Sequence, residues 1–143
     1  MDRKIGIATN PDQVKRLLAC GVDPNTADMY LSINMCPGEN YGKYSTRVLG
    51  EDLITLPEIL RSIDYEPAWS LSALLELLPT PIYTEHHKQY ALRIIRTHDH
   101  KAWIFDYESF DTSLYQTNGT TAIEACVRMI ERLAANGYTL NEY

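Results

Sequence analysis

The sequence holds little of what enzymes and nucleic-acid binders carry as signatures. Its 7 glycines are scattered, so there is no glycine-rich loop to cradle a phosphate. No Gly-x-Ser-x-Gly elbow is present to raise a nucleophile. The 3 cysteines, Cys20, Cys36 and Cys126, are odd in number and lack Cys-x-x-Cys spacing. That argues against a disulfide framework or thiolate zinc site and for reduced, buried thiols. Lysine and arginine total 13 against 19 acids, a formal charge of −6. Phosphate backbones are gripped by clustered cations that release counterions, and no such cluster exists, so nucleic acid is disfavoured as a partner. No apolar run approaches the ~20 residues that span a bilayer. The stretch Met1-Asp2-Arg3-Lys4-Ile5 has no signal-peptide core. A cytoplasmic chain with no membrane partner is the expectation.

What is present reads as a globular protein. The chain has 143 residues, 45% apolar and 22% charged, the size of one domain around one core. The strongest local signal is Pro67-Ala68-Trp69-Ser70-Leu71-Ser72-Ala73-Leu74-Leu75-Glu76-Leu77-Leu78-Pro79, a short apolar helix bracketed by prolines. Ser70 is its N-cap, and Leu71, Leu74, Leu75 and Leu78 form one stripe at helical spacing. Trp69, Ala73 and Leu77 lie off that stripe and need a second cover, from the N-terminal helical hairpin, the Leu53 to Ile63 segment or a second subunit. A Trp69 left exposed would mark a binding site.

Before this stretch, Asn10-Pro11 with Gln13 forms a capping box and opens a helix over residues 11–20, with Val14, Leu17 and Leu18 as its stripe. Gly21 stops it, and Asp23-Pro24 restarts the chain as a second helix running to about Leu31. The two make an N-terminal helical hairpin. Residues 32–51 lose all periodicity. Their tyrosines, Tyr41 and Tyr44 together with Tyr30 just before, suit a partner-contacting loop, because the ring offers large contact area at modest entropy cost. A short helix begins near Pro57, with Leu56, Ile59, Leu60 and Ile63 at helical spacing.

After Pro79-Thr80-Pro81 the composition turns to strands: residues 90–96 and 102–107, a third near 113–116 and a shorter one at Ile82-Tyr83. His98-Asp99-His100-Lys101 is the turn between the first two. Thr121-Ala122-Ile123-Glu124 is a capping box that opens the last helix. Its buried face is Ile123, Val127, Ile130, Leu133 and Ala134, and Gly137 is its stop. The expected fold is α+β: a two-layer domain with a small antiparallel sheet of three or four strands, packed by a central helix and a C-terminal helix, with the N-terminal helical hairpin added. The expected organisation is a single domain over 1–143. Residues 1–50 form the hairpin and Tyr-rich loop, and 51–143 an α-β-β-β-α core.

That order resembles the double-stranded-RNA-binding domain, whose second helix starts with paired lysines that grip phosphates. Here the corresponding start, Thr120-Thr121-Ala122-Ile123-Glu124, has no lysine, so the resemblance implies topology without the activity. Gly119, Thr121, Glu124 and Ala125 resemble the turn and helix start of HicB-type antitoxin domains. Three stretches spread along most of the chain carry a further resemblance: Asp12 to Leu18 with Asp23 to Tyr30, Pro67 to Pro79, and Glu124-Ala125-Cys126 with Gly137-Tyr138. They resemble uncharacterised small proteins of prophages and mobile elements from Bacteroides-type gut bacteria. That resemblance implies a phage-related α+β protein and transfers no catalytic residue.

Two clusters could carry chemistry. His86, His87, His98 and His100 lie close in sequence, with Glu85 and Asp99 beside them. His98 and His100 would share one side of an extended turn and could ligate a metal such as zinc. A solvated hairpin tip explains the same residues. Asp106, Glu108 and Asp111 could supply a general acid and base, but no lysine or second motif accompanies them. The sequence therefore points to a non-enzymatic binding or regulatory module without cofactor, acting through a protein partner or as a homo-oligomer. Its contact residues would be Tyr41, Tyr44 and Trp69. An antitoxin-like or RNA-binding-like regulator is the alternative, and a metal-assisted hydrolase on His98 and His100 a third.

Overall fold

The computed structural model describes residues 7–33, 38, 39, 42, 44–48, 65–84, 88–110 and 112–141, without the side chains of Ile33 and of 44–48. Two compact units divide the chain between Ala73 and Leu74.

In the first unit, helix α1 (Pro11–Ala19) starts as its sequence requires. The Asn10 side chain accepts from the Gln13 N–H at 2.8 Å, and Gln13 Oε1 accepts from the Asn10 N–H at 2.9 Å. Gly21, at φ 91°, ends it. There the Val22 N–H returns to the Leu17 carbonyl and the Gly21 N–H to that of Leu18, satisfying the last carbonyls of the helix. Gln13, Val14 and Leu17 are buried, whereas Leu18 is exposed, so the stripe runs through Gln13 instead.

The second helix of the expected hairpin is a single 3-10 turn, Pro24–Thr26. Asp23 Oδ1 accepts from the Asn25 N–H at 2.9 Å, and Ala27 leaves in extended geometry. The chain then becomes strand β1 (Met29–Ile33), paired antiparallel on one side with β2 (Tyr44–Val48) and on the other with β3 (Tyr65–Ala68). Pairing on both sides overrides the weak local preference for helix. The sheet order is β2-β1-β3. β3 takes up Pro67 and Ala68, so the proline-bracketed stretch is strand first and helix second. Helix α2 (Leu71–Leu77) follows, and the division between the units falls within it. The expected helix near Pro57 lies outside the described residues.

The second unit is built on one antiparallel sheet. A four-stranded antiparallel meander runs β4 (Ile82–Tyr83), β5 (Gln89–Arg96), β6 (Trp103–Ser109), β7 (Thr112–Gly119) in that spatial order. Helix α3 (Ala122–Ala135) packs on β6 and β7. It opens with Thr121 Oγ1 accepting from the Glu124 N–H at 3.1 Å and ends at Gly137, φ 78°. The Tyr138 ring then sits edge-on to Tyr115 at 5.9 Å. Ile123, Ala125, Cys126, Val127, Met129, Ile130 and Leu133 are buried, a wider apolar face than the stripe alone, while Ala134 is half-buried. The tail returns to α2: the Asn141 N–H donates to the Leu77 carbonyl at 2.9 Å and its Nδ2 to that of Glu76 at 3.1 Å. The fold is α+β, with a helix laid on an antiparallel sheet.

Candidate functional site

Alternation along β6 sorts its side chains onto two faces. Phe105 and Tyr107 turn toward α3 and are fully buried. On the same face Thr117 Oγ1 donates to the Ala125 carbonyl at 2.8 Å, and Arg132 lies over the Tyr115 ring at 5.8 Å. The Tyr107 hydroxyl donates to the Pro79 carbonyl at 2.7 Å. Burial, and then the neighbouring Cys126, push the Tyr107 phenol well above its ordinary range, and burial does the same to the Cys126 thiol. Neither is a nucleophile at neutral pH.

The opposite face carries the polar groups. Register places Ile104 between Ile95 and Asn118, Asp106 between Arg93 and Gln116, and Glu108 between Ala91 and Ser113. An irregularity after Tyr107 shifts the pairing with β7 and brings Ser113 opposite Glu108. Arg93 Nη1 donates to Glu108 Oε2 at 2.6 Å, and the Ser113 hydroxyl donates to Asp106 Oδ1. Both carboxylates expected as an acid-base pair are thus engaged, one by a guanidinium and one by a hydroxyl. Asp111 lies outside the described residues.

At the end of this face a shallow groove of about 450 Å³ is lined by Lys88, Gln89, Ala91, Glu108, Ser109 and Phe110. Phe110 bounds it. This side chain is 97% exposed and sits at φ 55°, at the first position of the β6–β7 hairpin loop. Left-handed backbone is costly for a bulky residue, and burial repays none of that here. Sequence reasoning missed Phe110 because a lone phenylalanine between strands reads as core.

The residues expected as sites are dispersed. Trp69 is 0% exposed. Its Nε1 donates to Thr26 Oγ1 at 2.9 Å, its N–H to Thr9 Oγ1 at 3.0 Å, and its carbonyl accepts from the Thr9 N–H at 2.9 Å. The second cover it needed comes from the N-terminal segment, and it serves as an internal anchor. Tyr30 is also buried, edge-on to Tyr65 at 5.5 Å. Tyr41 and the side chain of Tyr44 lie outside the described residues, although the Tyr44 backbone pairs with Ile33.

His98 and His100 are both exposed in the β5–β6 turn, His100 at φ 58°. The turn is built around Asp99, whose Oδ1 accepts from Thr97 Oγ1 at 2.5 Å and from the Lys101 N–H at 3.1 Å. The Thr97 hydroxyl, and then that backbone N–H, hold the Asp99 carboxyl below its usual range. That carboxylate is occupied with shaping the turn. No group of three or more metal-ligating side chains converges among the described residues, and His86 and His87 lie outside them. No described helix is long and apolar enough to cross a membrane. No protein-family model, curated protein or solved structure matches this chain.

Proposed function

We propose that the chain is a small binding or regulatory module, encoded by a phage or mobile element, that works in the cytoplasm through contact with another protein and catalyses no reaction itself. Phe110 carries this reading: an aromatic ring, 97% exposed in left-handed backbone beside a groove, costs stability and contributes no packing to the fold. Aromatic anchors of this kind dominate interface energetics. The resemblance to small prophage proteins supports the origin, and the genes flanking the coding sequence test it.

The contact is tested by photocrosslinking in cells, with p-benzoyl-phenylalanine installed at position 110 and, as control, at the exposed Thr120. A discrete adduct from position 110 alone is the expected result. An adduct at twice the chain mass identifies a second copy as the partner. Equal, diffuse labelling from both positions sinks the proposal.

A further inference from the structure

The hydrogen bonds flanking β5 fix which of its backbone groups face outward. The Thr84 N–H donates to the Lys88 carbonyl at 3.0 Å, Ile82 pairs with Tyr90, and the Leu92 N–H donates to Thr80 Oγ1 at 3.3 Å, all on the side away from β6. On the inner side the Thr97 N–H meets the Ala102 carbonyl at 3.0 Å. Even-numbered residues of β5 therefore present their N–H and C=O groups outward. β4 is only two residues long and pairs with Gln89 and Tyr90 alone. Beyond the Leu92 N–H, the outward groups of Ile94 and Arg96 meet no partner among the described residues. Ile94 is 42% exposed, and Arg93 and Arg96 are exposed as well.

Two other edges carry local protection at particular groups. In β3, Trp69 turns its N–H and carbonyl to Thr9, so Pro67, two residues earlier, faces the same outer side, where its missing N–H costs no ladder bond. On β7, Arg128 Nη1 occupies the Asn118 carbonyl at 2.8 Å.

We infer that the outer edge of β5 takes up an extended acidic peptide segment of another protein as an added strand. The inference rests on the protein-contact reading and names the partner's chemistry. Backbone pairing at Ile94 and Arg96 supplies the attachment, as in strand addition generally. Charge selects the occupant: within a chain of net charge −6, β5 holds no acid and two arginines, Arg93, which is paired with Glu108, and Arg96, with Lys88 before the strand and, after it, Lys101 beyond an Asp99 bonded within the turn. Arg96 lies over the Trp103 ring at 5.4 Å, with no carboxylate on it among the described residues. A second copy of β5 would bring arginines toward arginines. The free edge, about five residues or ~17 Å long, is also short for the ~1,200 Å² that stable dimers bury.

The test uses a fluorescein-labelled nine-residue peptide of alternating glutamate and valine, its lysine-valine counterpart and a single-stranded oligothymidine. The acidic peptide is expected to bind at least tenfold more tightly than the basic one, and to slow hydrogen exchange at the Ile94 and Arg96 amides. Ile94→Pro, which removes an outward N–H as Pro67 does in β3, should weaken binding at least tenfold. Arg96→Glu, on an exposed side chain, should do so with the unfolding midpoint lowered only slightly, by loss of the contact with Trp103. Equal binding of both peptides, no binding, or displacement by the oligothymidine overturns the inference, as does a concentration-dependent dimer abolished by Ile94→Pro. A crosslinked adduct at position 110 that persists when the acidic peptide fails would leave the contact reading standing and remove only this edge.

Discussion

Phe110 and Cys126 carry opposite kinds of cost. Phe110 sits at φ 55° with its ring in solvent, so replacing it with glycine removes a left-handed penalty of about 1 kcal/mol and exposes nothing new. Phe110→Gly is expected to raise the urea midpoint while abolishing the position-dependent contact, the trade seen when a residue is kept for binding rather than folding. Cys126 is fully buried, and its thiol is held protonated well above the ordinary value of 9.0, as the Tyr107 phenol is above 10.0. The unfolded chain loses these protons at lower pH than the folded one. Their stabilisation is therefore complete below about pH 9 and drains away as pH rises beyond it. Each proton released only on unfolding contributes a slope of about 1.4 kcal/mol per pH unit. Urea titrations at pH 7, 9 and 10 should show that loss. Cys126→Ala, although less stable throughout, should show a shallower fall over the same range; parallel slopes would contradict the assignment.

At the scale of elements, legibility followed locality. Helices α1 and α3 were readable because their caps and stops are written within a few residues: Asn10 with Gln13, Thr121 with Glu124, and Gly21 and Gly137 beyond the ends. Strands β5 to β7 were readable from runs of branched and aromatic residues. β1 and β3 were not. Met29 to Ile33 has no alternation that distinguishes strand from helix, and Pro67 reads as a helix start until its outward position on an edge is known. Trp69 was misplaced for the same reason, since its partners Thr9 and Thr26 are remote in sequence. Gly119 reads as a turn glycine, yet it is the last residue of β7 and pairs with Trp103. A β-carbon there would lie 2.6 Å from the Ala125 backbone nitrogen and 3.0 Å from Glu124 Cβ. The first atom belongs to the helix backbone and cannot swing aside. Gly119→Ala should therefore cost about 1–3 kcal/mol, read as a lowered urea midpoint. An unchanged midpoint would mean that α3 can move off the strand at no cost.

The scale of the whole molecule turns on α2, because the two compact units divide within it. Its start is built in the first unit. Asp28 Oδ1 accepts from the Ser70 N–H at 2.8 Å, its Oδ2 accepts from the Ser70 hydroxyl at 2.5 Å, and Ser70 Oγ in turn accepts from the Ala73 N–H at 3.2 Å. Its end is fastened in the second unit by Asn141. A seven-residue helix is too short to persist on its own, so it holds only while both ends are fixed. Its Leu74 and Leu77 are buried, as is Leu78 just beyond its end. Removing the bonds at its start should therefore loosen the first unit, which supplies them. Native-state hydrogen exchange checks this directly. Asp28→Ala removes two charge-assisted bonds and should lower protection by about 1–3 kcal/mol. The slowest amides of β1 are where that fall is expected. Protection of β1 unchanged by the substitution would show that those bonds carry none of its stability.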